Sequence, residues 1–282
     1  MSQHSEVTVP AVKLHDGKLM PQLGYGVWQV EDSIAASCVQ RAIEAGYRSI
    51  DTATIYENEA GVGKAVRASG IDRDELFITT KLWNSSHAYD DALQAMDESL
   101  DRLGLDAVDL YLIHWPAPVT GNFHEAWRAL VQLKADGRAR SIGVANFAID
   151  HLEQLAQNFD EQPVVNQIEL HPYFQQDDLR AYCAAHAIAV EAWSPLGQGG
   201  DLLADPILAA IAERHGRTTA QVVVRWHLQL ANIVIPKSVT PSRITENIDV
   251  FTFELSDEEL AQIKTLDRVD GRIGPVPSLA TF

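Results

Sequence analysis

Four residues in the first half of the sequence, Asp51, Tyr56, Lys81 and His114, are of types that can act together in proton transfer. A ketone or aldehyde that receives a hydride becomes an alkoxide and needs a proton from a group whose pKa approaches the working pH. Free tyrosine titrates at about 10, which is high for this role. A lysine ammonium beside the phenol would favour the phenolate and lower that pKa, and an aspartate would hold the lysine in place. We therefore predict an acid–base site in which Tyr56 donates the proton.

The surroundings of such a site can also be predicted. His114 would hydrogen-bond the carbonyl oxygen of the substrate and orient it. Trp28, Trp83 and Trp115 each follow a different predicted strand, and they would form an apolar pocket around that oxygen. These three tryptophans, together with Tyr56 and His114, are the predicted substrate contacts.

Each of the four residues also has an ordinary structural interpretation. Asp51 could cap the helix that follows its strand, and Lys81 could be a solvated charge. His114 could be a buried core histidine, and Tyr56 a surface aromatic beside a helix start. Only the four residues together make an acid–base site, so the prediction depends on a fold that brings their side chains to one place.

The elements that would position these residues alternate between short strand-like runs and helical patterns. Several of the runs are nearly continuously apolar, which is typical of parallel strands covered on both faces. Gly46, Gly70, Gly104 and Gly137 follow helical stretches, at positions where a glycine commonly ends a helix. We expect eight strands alternating with eight helices. The predicted strands span residues 23–26, 48–51, 76–81, 108–114, 140–144, 164–168, 188–193 and 232–236.

This alternation fits either a closed barrel or an open doubly wound sheet. The glycine fingerprint of dinucleotide-binding open sheets is missing, because residues 23–28 read Leu-Gly-Tyr-Gly-Val-Trp and lead into no glycine-capped helix. Asp16 and Gly17 lie between two short extended runs and predict a hairpin. We therefore predict an α/β fold, a (β/α)8 TIM barrel with an N-terminal β-hairpin, as one domain over residues 1–282. Functional side chains of such barrels come from the carboxyl ends of the strands.

Composition excludes several classes of partner. The formal net charge is −17, and no basic stretch rises above the acidic background, so nucleic acid and anionic lipid surfaces are unexpected partners. Residues 1–10 are polar and mixed, and no apolar run is long enough to cross a bilayer. Cys38 and Cys183 lie in helical patterns and read as reduced thiols, and no metal-ligand spacing is present. We expect a cytoplasmic protein without a metal.

Around these residues the chain resembles the aldo-keto reductase superfamily over almost its whole length. It is most similar to the bacterial branch that includes 2,5-diketo-gluconate reductases. Several independent segments in the right order make the resemblance specific. The segments that carry it span residues 51–59, 80–83, 109–116, 141–147, 166–172 and 235–240.

The resemblance implies NADPH-dependent reduction of aldehydes, ketones or dicarbonyls, with a catalytic tetrad of Asp51, Tyr56, Lys81 and His114. It also implies that NADPH lies extended across the barrel mouth, and that the protein is a monomer. The cofactor-binding positions that it implies are Gly26, Val27, Trp28, Asp51, Asn146, Gln167, Trp193, Ser194, Pro195, Leu196, Gly197, Lys237, Ser238, Val239, Thr240, Arg243, Glu246 and Asn247.

By this resemblance Asn146 and Gln167 bind the nicotinamide carboxamide, Trp193 stacks on its ring, and residues 194–197 line the pyrophosphate. Lys237, Ser238 and Arg243 would hold the adenosine 2′-phosphate, and Glu246 and Asn247 would contact the adenine. The residues support the phosphate assignment independently, because the two cations flank hydroxyl groups just before a predicted helix start.

Some positions depart from the common family pattern. Val27 stands where many members have Thr, and Trp193 replaces the more frequent Tyr. The tail after Asp270 is short and rich in Gly and Pro, so the substrate is left open. Two other functions also stay open: a protein that senses NADPH without useful turnover, and an unrelated barrel aldolase that uses Lys81 as a Schiff base.

Overall fold

A computed structural model of the chain describes residues 8–119 and 121–280, so the polar stretch at residues 1–7 lies outside the described part. The described chain begins with a hairpin of two antiparallel strands, β1 (Ala11–Lys13) and β2 (Leu19–Pro21). Its turn passes through Gly17 at a φ of 89°, a conformation that glycine adopts without steric cost. The predicted hairpin is confirmed.

Eight further strands form a single parallel sheet in chain order. Its two ends meet, because Leu23 bridges to Val234 and the Gly24 amide donates to the Val234 carbonyl oxygen at 2.9 Å. The predicted (β/α)8 barrel is therefore confirmed. The strands are β3 (Tyr25–Gly26), β4 (Ser49–Asp51), β5 (Phe77–Leu82), β6 (Val108–Ile113), β7 (Ala139–Ala145), β8 (Val165–Glu169), β9 (Ala189–Trp193) and β10 (Ile233–Val234).

The described residues form ten α-helices, two more than the eight predicted. Two of them lie between β9 and β10, because Asp205 caps a first helix that Gly216 ends at a φ of 59°, and Thr218 then caps a second. The other additional helix follows the last barrel helix. The helices are α1 (Asp32–Glu44), α2 (Glu59–Ala68), α3 (Tyr89–Leu103), α4 (Phe123–Ala135), α5 (Ile149–Asn158), α6 (Asp177–Ala185), α7 (Pro206–His215), α8 (Thr219–Gln229), α9 (Pro241–Ile248) and α10 (Asp257–Lys264).

The barrel helices form where apolar residues recur with helical spacing. In α3, Ala92, Met96, Leu100 and Leu103 are all buried, as their three- to four-residue spacing predicts. This helix ends at Gly104, whose φ of 63° is left-handed. Gly46, Gly70 and Gly137 also have positive φ values after α1, α2 and α4, so the predicted helix ends are confirmed.

Apolar side chains fill both sides of the sheet. In β6, Tyr111 and Ile113 pack against the helices, whereas Leu110 and Leu112 point into the barrel. Met20 of the hairpin joins the inner cluster and closes the amino end of the barrel. Fully burying one such aliphatic side chain stabilises the fold by about 1.5–3 kcal/mol. With that end filled, a ligand can enter only from the carboxyl ends of the strands.

Three expectations about the chain as a whole can be compared with the described residues. No helix among them is both long and apolar enough to cross a bilayer. Cys38 and Cys183 are buried and unbonded to each other. Within the same residues, no cluster of His, Cys, Asp and Glu could hold a metal ion.

Candidate active site

The four residues predicted to act in proton transfer meet at the carboxyl ends of neighbouring strands. Asp51 is the last residue of β4, Lys81 lies one residue before the end of β5, and His114 follows β6 directly. Tyr56 lies on a short 3-10 turn, residues 54–56, just beyond β4. Because β4, β5 and β6 are adjacent and in parallel register, these ends share one edge of the barrel mouth.

Lys81 is the centre of this group. Its Nζ donates to Asp51 Oδ1 at 2.6 Å, to the Thr52 carbonyl oxygen at 2.9 Å and to Tyr56 Oη at 3.3 Å. An ammonium has three N–H donors, and these three acceptors use all of them. Lys81 has no solvent exposure and Asp51 is 2% exposed, so the two charges form a buried ion pair. Such a pair is stable only when its hydrogen-bonding geometry is good, because neither charge is solvated by water.

The surroundings shift the pKa values of these groups in different directions. Burial raises the pKa of Tyr56, as do the Asp51 and Glu191 carboxyls, while the Lys81 ammonium lowers it. The net shift is upward, so the prediction that the lysine leaves Tyr56 with a lowered pKa is not met in this structure. Burial lowers the pKa of Lys81, but Asp51 and Tyr56 raise it by more. The net shift of the Lys81 pKa is upward, which keeps the ammonium charged.

His114 is held as a neutral imidazole. Burial and the Lys81 ammonium lower its pKa well below the ordinary value for histidine. Its ring lies edge-on to Tyr56, with ring centres 5.6 Å apart, and edge-on to Trp83 at 5.3 Å. Among the described residues no group hydrogen-bonds its Nδ1. A neutral ring beside the phenol can donate to a substrate oxygen without adding charge to the site.

The predicted nicotinamide contacts connect directly to this group. Gln167 Nε2 donates to Asp51 Oδ2 at 2.8 Å and to Glu191 Oε2 at 2.7 Å. Asn146 Nδ2 donates to the His114 carbonyl oxygen at 2.9 Å, and Trp193 Nε1 donates to Asn146 Oδ1 at 2.8 Å. Proton-transfer and predicted cofactor residues therefore form one hydrogen-bonded network.

Backbone geometry at the mouth fits this arrangement. Asn146 and Ser194 come directly after β7 and β9, and both have left-handed φ values, 63° and 47°. Such conformations are costly outside glycine and concentrate at functional sites. The Gly197 amide donates to the Ser194 carbonyl oxygen at 3.0 Å, so residues 194–197 form a tight turn at the rim. Pro195 is buried within it and Leu196 is half-buried.

The predicted phosphate contacts lie beyond β10 at the start of α9. Lys237 is half-buried and Arg243 is exposed, and neither forms an ion pair with a described residue. Thr240 occupies the cap position of α9 without a side-chain cap, which leaves amide donors at the helix start. Two uncommitted cations beside such a start suit an anionic group.

The remaining predicted cofactor contacts lie just before α9 and within it. The Ser238 hydroxyl accepts from the Thr240 amide, and Val239 is 44% exposed. The Glu246 carboxylate accepts from Thr218 Oγ1 at 2.7 Å, so a described residue already engages it. Asn247 is buried.

The loop after β3 departs from the expectation at one residue. Val27 is fully buried in the core between sheet and helices. Its amide donates to the Asp51 carbonyl oxygen at 3.0 Å, and its carbonyl oxygen accepts from Asn58 Nδ2 at 2.8 Å. Gly26 lies close to the backbone just after β10, where a Cβ on Gly26 would be 3.0 Å from the Ile235 carbonyl oxygen. Trp28 is 40% exposed, Trp83 is half-buried against His114 and Trp115 is buried, and their role in an aromatic pocket stays a prediction.

Two buried carboxyls at the site were missed in the sequence. Glu191 lies in the middle of β9 with no solvent exposure, and Glu169 ends β8 with 1% exposure. A signal for Glu191 was available, since it is the one charged residue in the otherwise apolar run 188–193, and a buried charge requires a specific partner. Glu169 lay inside a segment quoted for the family resemblance but had no assigned role.

Glu169 holds the C-terminal tail on the barrel mouth. Its Oε1 accepts from the Ile273 amide at 2.6 Å and its Oε2 from the Gly274 amide at 2.8 Å. At Gly274 the backbone lies against the Trp193 ring, where a Cβ would come within 2.5 Å of Cη2. The tail is thus anchored beside the aromatic ring predicted to stack on nicotinamide.

Comparison with known proteins agrees with this geometry. The profile of the Aldo/keto reductase family matches residues 20–268. The chain belongs to the aldo/keto reductase family. It is 54% identical to methylglyoxal reductase DkgA of Yersinia pestis over 271 residues, which cover 96% of this chain and 97% of the relative. It is 50% identical to methylglyoxal reductase DkgA of Escherichia coli K12, over 94% of this chain and 96% of the relative.

Two solved structures share the whole fold, the first of them an aldo/keto reductase. One from Brucella melitensis is 56% identical with a TM-score of 0.89, and covers 92% of this chain and 100% of its own. A variant of Gox0644 in complex with NADPH is 49% identical with a TM-score of 0.94, and covers 98% of this chain and 100% of its own. The (β/α)8 architecture of this aldo/keto reductase is therefore that of its family, and the predicted resemblance is confirmed.

Proposed function

We propose that this aldo/keto reductase uses NADPH to reduce aldehydes, ketones and dicarbonyl compounds to alcohols, with Tyr56 as proton donor. The observation that carries the proposal is the position of Lys81 Nζ, which lies 2.6 Å from Asp51 Oδ1 and 3.3 Å from Tyr56 Oη in a buried site. The names of the DkgA relatives support methylglyoxal, a small dicarbonyl, as the first substrate to test.

Bound NADPH supplies a hydride to the carbonyl carbon of the substrate. As negative charge develops on the carbonyl oxygen, Tyr56 Oη gives up its proton to that oxygen. The Lys81 ammonium stabilises the phenolate that remains, and Asp51 keeps the ammonium in place. A ring N–H of neutral His114 donates to the same oxygen and fixes its direction. The half-buried Trp83 beside His114 limits the access of water.

Residues of this chain also fit the parts of NADPH. Gln167 and Asn146 carry amides at the mouth for the carboxamide, and Trp193 offers a flat ring held by its N–H bond to Asn146. Lys237 and Arg243, which have no anionic partner among the described residues, suit the 2′-phosphate that distinguishes NADPH from NADH. A positive pocket is needed locally because the protein as a whole is strongly acidic.

The aldolase alternative requires Lys81 to act as an uncharged amine. The salt bridge to Asp51 keeps the Lys81 ammonium charged, and its raised pKa opposes loss of the proton. This geometry favours the reductase. The sensor alternative needs only cofactor binding, and the complete tetrad argues against it.

The active unit is proposed to be a cytoplasmic monomer. Every residue assigned to the tetrad and to the cofactor comes from one chain, so no second subunit is needed to complete the site. Cys38 and Cys183 are free and buried, which suits a reducing compartment.

The test is NADPH oxidation with methylglyoxal, aromatic aldehydes and keto-sugars, comparing wild type with Tyr56→Phe. Tyr111→Phe is the matched control, because that hydroxyl is buried and has no partner among the described residues. Turnover by wild type and the control, lost in Tyr56→Phe with NADPH binding retained, would support the proposal. Full turnover by Tyr56→Phe would remove Tyr56 from its role, and tight NADPH binding without any turnover would favour the sensor.

A further inference from the structure

Glu191 is an ionisable group inside the barrel that the proposed mechanism does not use. It lies at the centre of β9, in register with Gln167 of β8 on one side and Ile233 of β10 on the other. Its side chain has no solvent exposure. A buried carboxyl is costly unless it is hydrogen-bonded or neutral, so its presence here calls for a specific interaction.

That interaction is with the amide of Gln167. Gln167 Nε2 donates to Glu191 Oε2 at 2.7 Å and to Asp51 Oδ2 at 2.8 Å. An amide nitrogen has two N–H donors, and here both go to carboxyl groups, which accept. The carbonyl end, Oε1, is then the only hydrogen-bonding atom of the side chain left over, and no described residue donates to it.

The charges around Glu191 favour its neutral form. Asp51 on β4 and the Lys81 ammonium on β5 already form a compensated pair, so an ionised Glu191 would add an unbalanced negative charge. Burial and the Asp51 carboxyl raise the pKa of Glu191, the Gln167 N–H and the Lys81 ammonium lower it, and together they bring it to about 8. At neutral pH Glu191 therefore holds a proton and accepts from Gln167 through its carbonyl oxygen.

We propose that Glu191 is a positioning residue that orients the Gln167 amide, so that Gln167 Oε1 faces the cofactor carboxamide and Nε2 supports Asp51. This inference rests on the proposed function, because it takes Gln167 as a cofactor contact. The same amide then links cofactor to proton donor, through Asp51 and Lys81 to Tyr56. Without Glu191, one N–H of the amide loses its acceptor, and the amide can turn its NH2 group toward the carboxamide.

The orientation has a measurable consequence for cofactor choice. An acceptor at Gln167 Oε1 recognises the NH2 group of a carboxamide, but it gains nothing from an acetyl group in the same place. Wild type should therefore bind NADP+ about fivefold more tightly than its 3-acetylpyridine analogue, the ratio expected for one neutral hydrogen bond. Binding is measured by quenching of tryptophan fluorescence, so the readout does not depend on turnover.

Three variants at this position separate orientation from general packing. Glu191→Leu removes the acceptor, and Glu191→Asp withdraws it by one methylene; in both we expect the preference to fall to within about twofold. Glu191→Gln resembles the neutral acid, offers a carbonyl oxygen to Gln167 and should restore the wild-type preference. Thr79→Val is the control, since it removes a different buried oxygen that has no partner among the described residues.

The outcomes distinguish this inference from the proposed function. If Glu191→Leu or Glu191→Asp folds, binds NADP+ and keeps the full preference, Glu191 does not orient Gln167. If Glu191→Leu does not fold, Glu191→Asp decides the question. If wild type binds both cofactors equally, the proposed reductase stands and the role of Glu191 is overturned. If wild type binds neither cofactor, the proposed function fails and this inference fails with it.

Discussion

Replacing Lys81 by Met should lower both the stability of the fold and the activity of the site. Met is also long and unbranched, so it can occupy the space without the charge. The Asp51 carboxylate would then lose its 2.6 Å partner and keep only the Gln167 N–H as a donor, while remaining 2% exposed. Removing one member of a buried ion pair costs about 3–5 kcal/mol, because the other charge is left uncompensated.

For a chain of this size, 1 kcal/mol corresponds to about 2 °C in Tm, so Lys81→Met should lower Tm by about 6–10 °C. Activity should fall as well. The ammonium is the group that lowers the pKa of Tyr56, and without it the phenol becomes a weaker acid. General acid catalysis contributes about 100-fold or more, and most of that factor should be lost from kcat.

The double variant Asp51→Asn/Lys81→Met separates the two effects. With both charges removed, no uncompensated carboxylate remains, and most of the lost stability should return. Activity should not return, because the phenol still lacks its cation. Thermal unfolding by circular dichroism and NADPH oxidation, measured on the same preparations, provide both quantities. A Lys81→Met variant as stable as wild type, or a double variant no more stable than Lys81→Met, would refute the reasoning about the buried pair.

Three further predictions concern the cofactor, pH and the tail. Arg243→Ala should raise the Kd for NADPH about tenfold or more and that for NADH little; equal losses would mean that Arg243 does not bind the 2′-phosphate. In a Glu191→Gln background, which removes the opposing effect of the raised Glu191 pKa, stability should fall as pH drops from 7 to 5. Burial lowers the pKa of His87 to about 4 and of His227 to about 3, so only the unfolded chain takes up these protons below its pKa of about 6.5. Each histidine should contribute about 2 kcal/mol to that loss at pH 5, and an unchanged urea midpoint would contradict this. Gly274→Leu should displace the tail from Trp193 and raise the KM for substrates while leaving the fold intact, which kinetics and circular dichroism can check.

The barrel and the tetrad could be predicted from the sequence because both depend on local patterns. Apolar runs and glycine stops located the strands and helices. Since the carboxyl ends of parallel strands meet at one face, the strand-end residues Asp51, Lys81 and His114 were expected to meet. The structure places them together. The helix count was wrong between β9 and β10, where Gly216 and Thr218 end one helix and begin another within three residues.

The other features of the site depend on distances between residues that are far apart in the sequence, and a sequence pattern does not contain these distances. The upward shift of the Tyr56 pKa results from burial and two carboxyls acting against Lys81, and the sequence indicated only the effect of the lysine. Glu191 touches Gln167 across neighbouring strands, which becomes evident only once the register of β8 and β9 is known. Val27 was implied as a cofactor contact by the family resemblance, but it follows β3 and its side chain lies in the core.

The way in which the C-terminal tail is fastened bears on how substrate choice can change. Glu169 holds it through the backbone amides of Ile273 and Gly274, and Gly271 lies so near the Tyr173 carbonyl oxygen that no side chain fits there. Among the side chains of the tail, Arg272 adds a further anchor, because its guanidinium lies 4.4 Å from the centre of the Phe174 ring. Residues 275–279 are therefore open to exchange as a block, and new substrates could be accommodated by changing that block while its attachment points stay the same. For enzyme engineering, Glu169, Gly271 and Gly274 mark the boundaries within which a foreign tail can be grafted.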